Sequence, residues 1–386
     1  MTITEVKTKS DAQAFLEMPF KIYKNDQFYV RPLDKDINSV FDPKYNKLYR
    51  NGECARFIAW DDKGNSIGRI AAFINKKTAN KEAQPTGGVG FFESIDDKEV
   101  SKQLFDTCKD WLQERGMEAM DGPINFGDRD RWWGLMVDGY DEPVYGMNYN
   151  PTYYYKLFEA YGFKTYYKQF VFAWPMDTEL PQVMKDKAER IARDPAYSFR
   201  HIDKNQLDKY AEDFRTIYNK AWVKHQGVAE MPKQQARLLF KSMKPVIDEN
   251  IVWYGYYNDE PVSFFIMLPE LNQLFKYVNG KMDLIGKLKF LWYRWRGACR
   301  KMFGVLFGVV PEHQAKGVEG AMVIASAKHI LPMNKYDMFE MNWIGDFNGK
   351  MLKLCESLNA YVSKTYITYR FLFDETKEFK RHPMLD

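Results

Sequence analysis

Residues 309–327, VVPEHQAKGVEGAMVIASA, carry the chain from one kind of backbone into another. The run that leads into them, MFGVLFGVV (302–310), is apolar, rich in Val and Phe, and of strand length. Pro311 stops it, because proline has no N–H for a ladder. The run that leaves them, GAMVIASAKHI (320–330), reads as a helix, so a strand passes through a loop bearing Gly317 directly into a helix. Downstream the order continues with a strand, DMFEMNW (337–343), a helix, MLKLCESL (351–358), and a closing strand, TYITYRFLF (365–373). Upstream stand two helices, 205–223 and 233–244, and a hairpin, IVWYGYY–NDE–PVSFFIML (251–268).

The first half repeats this order. A helix-like stretch, SDAQAFLEMPFKIY (10–23), precedes a hairpin formed by ARFIAWD (55–61) and IGRIAAFI (67–74), then the strand TGGVGFFES (86–94). In KEVSKQLFDTCKDWLQERG (98–116) the apolar residues fall at intervals of three and four, which predicts an amphipathic helix, with Gly116 at its stop. A Gly-, Asp- and Trp-rich loop (121–134), the helix ending in LFEAYGF (157–163) and the strand KQFVFAW (168–174) follow. LFEAYGF aligns with LCESLNA (354–360), and Asn150 and Asn348 stand upstream of the two with one residue's difference in spacing. We read an internal duplication of an α/β (α+β) unit of roughly 180 residues. The boundary is expected within WPMDTELP (174–181), which breaks both periodicities and gives units of 1–178 and 179–386.

At 386 residues the chain is too long for one ordinary core. The 24 Lys and Arg against 28 Asp and Glu in residues 1–180 give −4, and the remaining 32 against 24 give +8, so the second half is the better candidate for any anionic ligand or surface. Cys54, Cys108, Cys299 and Cys355 lie far apart without His at ligand spacing, which argues for reduced thiols and against a metal site. MTITEVKTKS has no apolar core of a signal peptide, and no apolar run reaches spanning length. The expectation is a cytoplasmic protein, free or peripheral on the inner face of a membrane.

The stretch 309–327 resembles the acyl-CoA-binding motif of the GNAT acyltransferase superfamily, in which a strand ending in V-x-P meets a loop of R/Q-x-x-G-x-G/A type that opens a helix. The resemblance implies that backbone N–H groups at the helix start hold a pyrophosphate, helped by the helix dipole. Val309, Val310, Gln314, Lys316, Gly317 and Gly320 are then the cofactor-binding residues, with Glu319 standing where the motif has a small residue. FEMNWIGDFNGKM, PFKIYKNDQFYVRPL, IGRIAAFIN and the block from GPINF to YGF are together similar to a narrower group, the tandem-domain bacterial ceramide-synthase-like N-acyltransferases. This implies two GNAT-like domains, each a mixed, mostly antiparallel sheet flanked by helices. It also implies acyl-CoA as cosubstrate and transfer of the acyl group to a primary amine, with a sphinganine-like amino alcohol as acceptor. The first half has Asp96 and Asp97 where a phosphate cradle would be, so it is expected to be degenerate for coenzyme A.

On the same resemblance Glu340 is the general base, against an exposed or paired carboxylate on a strand, backbone N–H groups near Val309 and Val310 polarise the thioester carbonyl, and Asn348 lies against the pantetheine arm or caps the last helix. Asn219, Trp222, His225, Glu270 and Asn272 are candidates to line the amine pocket, against core packing for Trp222 and a solvated turn for Glu270 and Asn272. Two other readings remain: a tandem transferase that uses aminoacyl-tRNA, with nucleic acid disfavoured by the modest basic excess, and a non-catalytic ligand-binding protein.

In 284–302, LIGKLKFLWYRWRGACRKM, the residues Leu284, Leu288, Leu291, Trp292 and Trp295 share a helix face. Lys287, Arg294 and Lys301 flank it on one side and Lys289, Arg296 and Arg300 on the other. Such a face either packs on the protein's own sheet or meets an anionic lipid surface.

Overall fold

The computed structural model describes residues 1–386 except 82–83, 128, 223–229 and 385–386, and except the side chains of Lys187 and Trp222. The first half runs β1 (Thr2–Glu5), α1 (Lys9–Glu17), α2 (Pro19–Ile22), α3 (Asp34–Val40), β2 (Gly52–Trp60), β3 (Ser66–Asn75), β4 (Thr86–Ser94), α4 (Lys98–Gln113), β5 (Ala119–Gly122), β6 (Leu135–Asp138), α5 (Tyr154–Tyr161) and β7 (Lys164–Pro175). The second runs α6 (Gln182–Ala192), β8 (Tyr197–His201), α7 (Leu207–Trp222), α8 (Lys233–Met243), β9 (Val252–Tyr257), β10 (Glu260–Pro269), α9 (Asn272–Phe275), α10 (Leu284–Trp295), β11 (Lys301–Val309), α11 (Val318–Ile330), β12 (Met338–Gly345), α12 (Gly349–Ser357) and β13 (Tyr361–Leu372).

The repeat holds down to individual hydrogen bonds. At the end of α5, Phe163 donates its N–H to Phe158 O and Gly162 to Glu159 O; at the end of α12, Ala360 donates to Cys355 O and Asn359 to Glu356 O. These are the same bonds at aligned positions, and they need a left-handed residue. Gly162 (φ 110°) supplies it in the first half and Asn359 (φ 56°) in the second. Asparagine tolerates this conformation better than other side chains, which is why the looser copy still closes.

Among the described residues thirteen strands form one sheet, and its order is β1-β2-β3-β4-β5-β13-β7-β12-β11-β10-β9-β8, with β6 also on β13. That order reads alike from both ends, and the halves have exchanged their last strands. β5 of the first half pairs with β13 of the second, from Tyr369↔Gly122 to Leu372↔Ala119. β12 of the second pairs with β7 of the first, from Met338↔Pro175 to Gly345↔Gln169. β7 and β13 pair with each other from Tyr361↔Ala173 to Arg370↔Lys164, on a pseudo-twofold seam. The sheet is antiparallel except at β4–β5 and β11–β12, the two parallel pairs that each span a helical crossover. Helix α4 buries Val100, Leu104, Phe105, Cys108 and Leu112 against the first half, as its periodicity predicts. In the second half Phe214 of α7 and Phe240 of α8 pack with Phe264 on one face, and α11 covers the other.

Candidate active site

The parallel pair of the second half stays together for only four positions, from Lys301↔Met338 to Gly304↔Met341, and then parts. A register shift between Ile266 and Met267 on β10 marks a bulge in the neighbouring ladder at this point. β12 carries its own irregularity between Met341 and Ile344. Bulges bend strands, and these two open the sheet. Over the opening lies an apolar cavity of about 580 Å³, lined by Val305–Phe307 of β11, Phe339 and Met341 of β12, Ala327 of α11 and Leu354 of α12, with Phe172 and Trp174 of the exchanged strand β7. Its few polar groups include Arg129, Ser326, Asn342 and Asn348. Arg129 arrives from the first half's loop, where its backbone oxygen accepts from Trp343 Nε1 at 3.0 Å.

The strand edge that faces the opening follows from alternation. Val310 donates its N–H to Val262 O at 2.9 Å, on the β10 side. Its N–H is therefore spent, which corrects the expectation that Val310 polarises a carbonyl. Neighbouring residues on a strand turn their N–H groups to opposite edges, so Val309 and Phe307 point theirs toward the side that β12 has left.

Beyond β11, Gln314 folds back so that its Nε2 donates to Val309 O at 2.9 Å, and Arg190 of α6 holds Lys316 O at 3.0 Å. Gly317 takes φ 97° at the N-cap of α11 and leaves that helix without a side-chain cap. Gly320 is buried in the first turn, while Glu319 is half-buried there. Burial first, then Tyr257, Asp194 and Glu319, raise the pKa of Tyr197. These loop residues sit at the outer end of β11 and do not line the cavity; Asn348 does. Asn348 also caps α12, accepting from Met351 N at 3.3 Å, so both alternatives for it meet at one residue.

The first half is closed at each corresponding place. Asp97 caps α4, accepting from Glu99 N at 2.8 Å and Val100 N at 3.4 Å, so a carboxylate stands where an anion would go. After β5 the chain turns back onto β4, and Ile124 donates its N–H to Val89 O at 2.8 Å. The backbone approaches so closely that a Cβ on Gly90 would come within 1.8 Å of Ile124 O. That cross-link shuts the slot that stays open between β11 and β12. A smaller cavity of about 80 Å³ remains beside Glu93, whose carboxylate accepts from Tyr23 and Tyr154 hydroxyls at 2.8 Å each.

Glu340 lies between Phe339 and Met341 and so faces the other side of the sheet from the cavity. It is 3% exposed and accepts from Lys364 Nζ at 3.0 Å and Ser363 Oγ at 3.3 Å. Lys364 is itself fully buried and reaches Asp141 of the first half at 2.6 Å, where Asp141 is half-exposed. Burial alone would lower the Lys364 pKa, but Glu340 and Asp141 raise it overall. An Asp–Lys–Glu chain thus leads from solvent to the parting of the strands. Sequence reasoning missed Lys364, although it stands at period two with Tyr366 and Thr368 on the inward face of β13.

Of the candidate amine-pocket residues, Glu270 and Asn272 lie together and are spent on structural bonds. Glu270 is 1% exposed, and its Oε1 accepts from Tyr145 N and Asn272 N, each at 2.9 Å. Asn272 Nδ2 donates to Pro143 O at 2.8 Å. Both residues tie the end of β10 to the first half's 143–145 loop, and neither lies on the solvated turn that was the alternative. Asn219 accepts from Met231 N at 2.8 Å and anchors that segment to α7. Trp222 is the last residue of α7 with its side chain outside the described part, and His225 lies outside the described residues. Among the described residues no cluster of His, Cys, Asp and Glu is arranged for a metal ion.

No protein-family model matches the sequence. A bacterial ceramide synthase from Caulobacter vibrioides (strain NA1000 / CB15N) is 26% identical over 377 residues, which span 96% of this chain and 97% of that protein. Protein YghO of Escherichia coli K12 is 24% identical over 373 residues, 94% of this chain and 93% of its own. Among solved structures, a tandem GNAT protein from the clavulanic acid biosynthesis pathway superposes on 97% of this chain and 99% of its own, with a TM-score of 0.54 at 7% identity. A GCN5-related glucosamine N-acetyltransferase region of a fungal multi-domain protein covers 96% of this chain and 38% of that one, also at 0.54, with 13% identity. The chain therefore has the tandem GNAT fold and is similar along nearly its whole length to a bacterial ceramide synthase.

Proposed function

We propose that the protein is an acyl-CoA-dependent N-acyltransferase whose acceptor is a primary amine on a long-chain amino alcohol. The observation that carries this reading is the apolar cavity at the parting of β11 and β12, below a helix start that no side chain caps. The diphosphate of the thioester substrate is held by N–H groups of Val318, Glu319 and Gly320 at the positive end of α11, with Lys316 as counter-charge. The pantetheine arm follows the free edge of β11 past Asn348, and the acyl chain fills the cavity. Val309 and Phe307 donate N–H groups to the thioester oxygen as charge builds on it.

The amine arrives from the opposite face, along Asp141 and Lys364. Its nitrogen forms the new bond to the carbonyl carbon, the C–S bond breaks, the thiolate leaves as coenzyme A, and Glu340 takes the proton from nitrogen. Glu340 stands one position before the last paired residue, Met341, at the parting itself. The acceptor class rests on the apolar lining and on the similarity to the ceramide synthase.

Ala327→Trp tests the site. Ala327 is buried on the cavity wall, and an indole there occupies the space assigned to the chain. Calorimetry is expected to show affinity for a long-chain acyl-CoA falling about tenfold or more, a loss of at least ~1.4 kcal/mol, with free coenzyme A bound as before. Equal loss for both ligands, or no loss for either, would place the acyl chain elsewhere.

A further inference from the structure

The face of α10 left open by the sequence does not pack on the protein. Leu284, Ile285, Leu288, Leu291, Trp292 and Trp295 are between 53% and 77% exposed, six large apolar side chains on a helix of 12 residues. At 100° per residue they span an arc of roughly 120°. Lys287 and Arg294 border that arc on one side, and Lys289 and Arg296 border it on the other. The helix binds the body through a different face. Gly286 and Phe290 are its buried residues, Phe290 lies against Phe275, and Tyr293 stacks on Tyr277 at 3.5 Å between ring centres. Asp283 caps the start, accepting from Gly286 N at 2.8 Å. Both ends and the inner face are therefore fixed, and the apolar arc is held outward.

We propose that α10 is a membrane-docking element that seats the protein on an anionic lipid surface. Three features select that occupant. Exposed apolar patches of this extent mark interaction sites on soluble folds, and Trp is favoured where one end of a ring meets hydrocarbon and the other water. Lys287 on one border and Lys289 and Arg296 on the other reach the headgroup plane while their stems lie on the acyl boundary, whereas Arg294 donates to Pro245 O on the body. Residues 281–301 carry seven positive charges against one negative; Arg300 pairs with Asp337 and Lys301 lies 3.9 Å from Glu340, and the other five against Asp283 leave a +4 segment complementary to anionic headgroups. The same charge disfavours a second copy of this chain as occupant, because face-to-face pairing would bring two +4 segments together. Among the described residues no helix is long and apolar enough to cross a bilayer, so the contact is interfacial. A lipid-like acceptor would be met at that surface, but the docking face stands on its own residues and does not depend on the acceptor's identity.

The test uses the full chain and vesicles of phosphatidylcholine with or without about one-third phosphatidylglycerol. Co-sedimentation is expected to be at least roughly tenfold stronger on the anionic vesicles and to weaken as salt is raised. Leu288→Glu with Trp295→Glu, both exposed positions, should abolish binding while thermal melting stays unchanged. Brominated lipid should quench wild-type Trp fluorescence, and Trp292→Phe with Trp295→Phe should lose that quenching while still binding. Three results would overturn the proposal: no binding to either vesicle, binding that survives the double Glu variant, or a dimer in sedimentation that the Glu variant dissolves.

Discussion

A chain ended at Ala360 is expected to lose cooperative unfolding, although only its last strand and tail are gone. β13 is the inner strand between β5 and β7, so its removal leaves the first half's β5 without a neighbour on that side. It also removes Tyr366 and Tyr369, at most 1% exposed, together with buried Ile367, Phe371 and Leu372. At about 1.5–3 kcal/mol for each buried apolar side chain, the loss is on the order of 10 kcal/mol, comparable to a whole domain's stability. Circular dichroism should show no sharp thermal transition. Separately expressed 1–178 and 179–386 should purify together, because each supplies the strand the other lacks. A truncated chain that melts cooperatively within a few degrees of the full one would contradict the exchange of strands.

Glu270→Gln is expected to remove a loss of stability that the wild-type protein suffers on going alkaline. Burial pushes the Glu270 carboxyl from 4.5 up to about 8, while bonds from Asn272 and Tyr145 pull the other way and Glu340 adds to the rise. Its Oε2 has no partner among the described residues. The native state thus keeps a proton that the unfolded chain releases near pH 4.5. Between that pH and about 8 the native state binds more protons, so stability is full below the lower value and falls as pH rises. By pH 8 the loss is on the order of 4 kcal/mol. Glutamine keeps an oxygen for the two N–H donors and cannot ionise. Urea unfolding should find the variant and wild type alike near pH 5 and the variant more stable at pH 8. Parallel pH profiles would show that Glu270 is ionised in the native protein.

The repeat was legible because its closing motifs are local: a helix end needs its left-handed residue within five positions, and LFEAYGF and LCESLNA both provide one. The exchange of strands was not legible, since a period-two pattern fixes which face of a strand is buried and says nothing about its neighbour. Lys364 was passed over for a related reason. Its partners are Glu340 and, on the other half, Asp141, and neither is near in sequence. Glu270 follows an apolar strand and Pro269, which leaves a pocket wall and a solvated turn both open in the sequence, whereas a loop 125 residues away covers it. The helix 284–295 displays an apolar face with basic borders in the sequence, but sequence alone does not say whether the body covers that face. Gly286 and the ring of Tyr293 decided that, by allowing close approach and stacking on Tyr277. In the candidate site, the closed helix start has a capping carboxylate, Asp97, that the open one lacks, and the sequence does display it.

Mass spectrometry of the product shows directly whether the protein joins an acyl thioester to an amine. Wild-type protein, a long-chain acyl-CoA and sphinganine should yield N-acyl-sphinganine and one free coenzyme A thiol for each amide formed. Glu340→Gln should slow the reaction by about 10²-fold or more without weakening acyl-CoA binding. Thiol release that needs no amine, or no amide from any acyl-CoA and amine pair, would contradict the account, and an unchanged rate in Glu340→Gln would remove the proton acceptor from it.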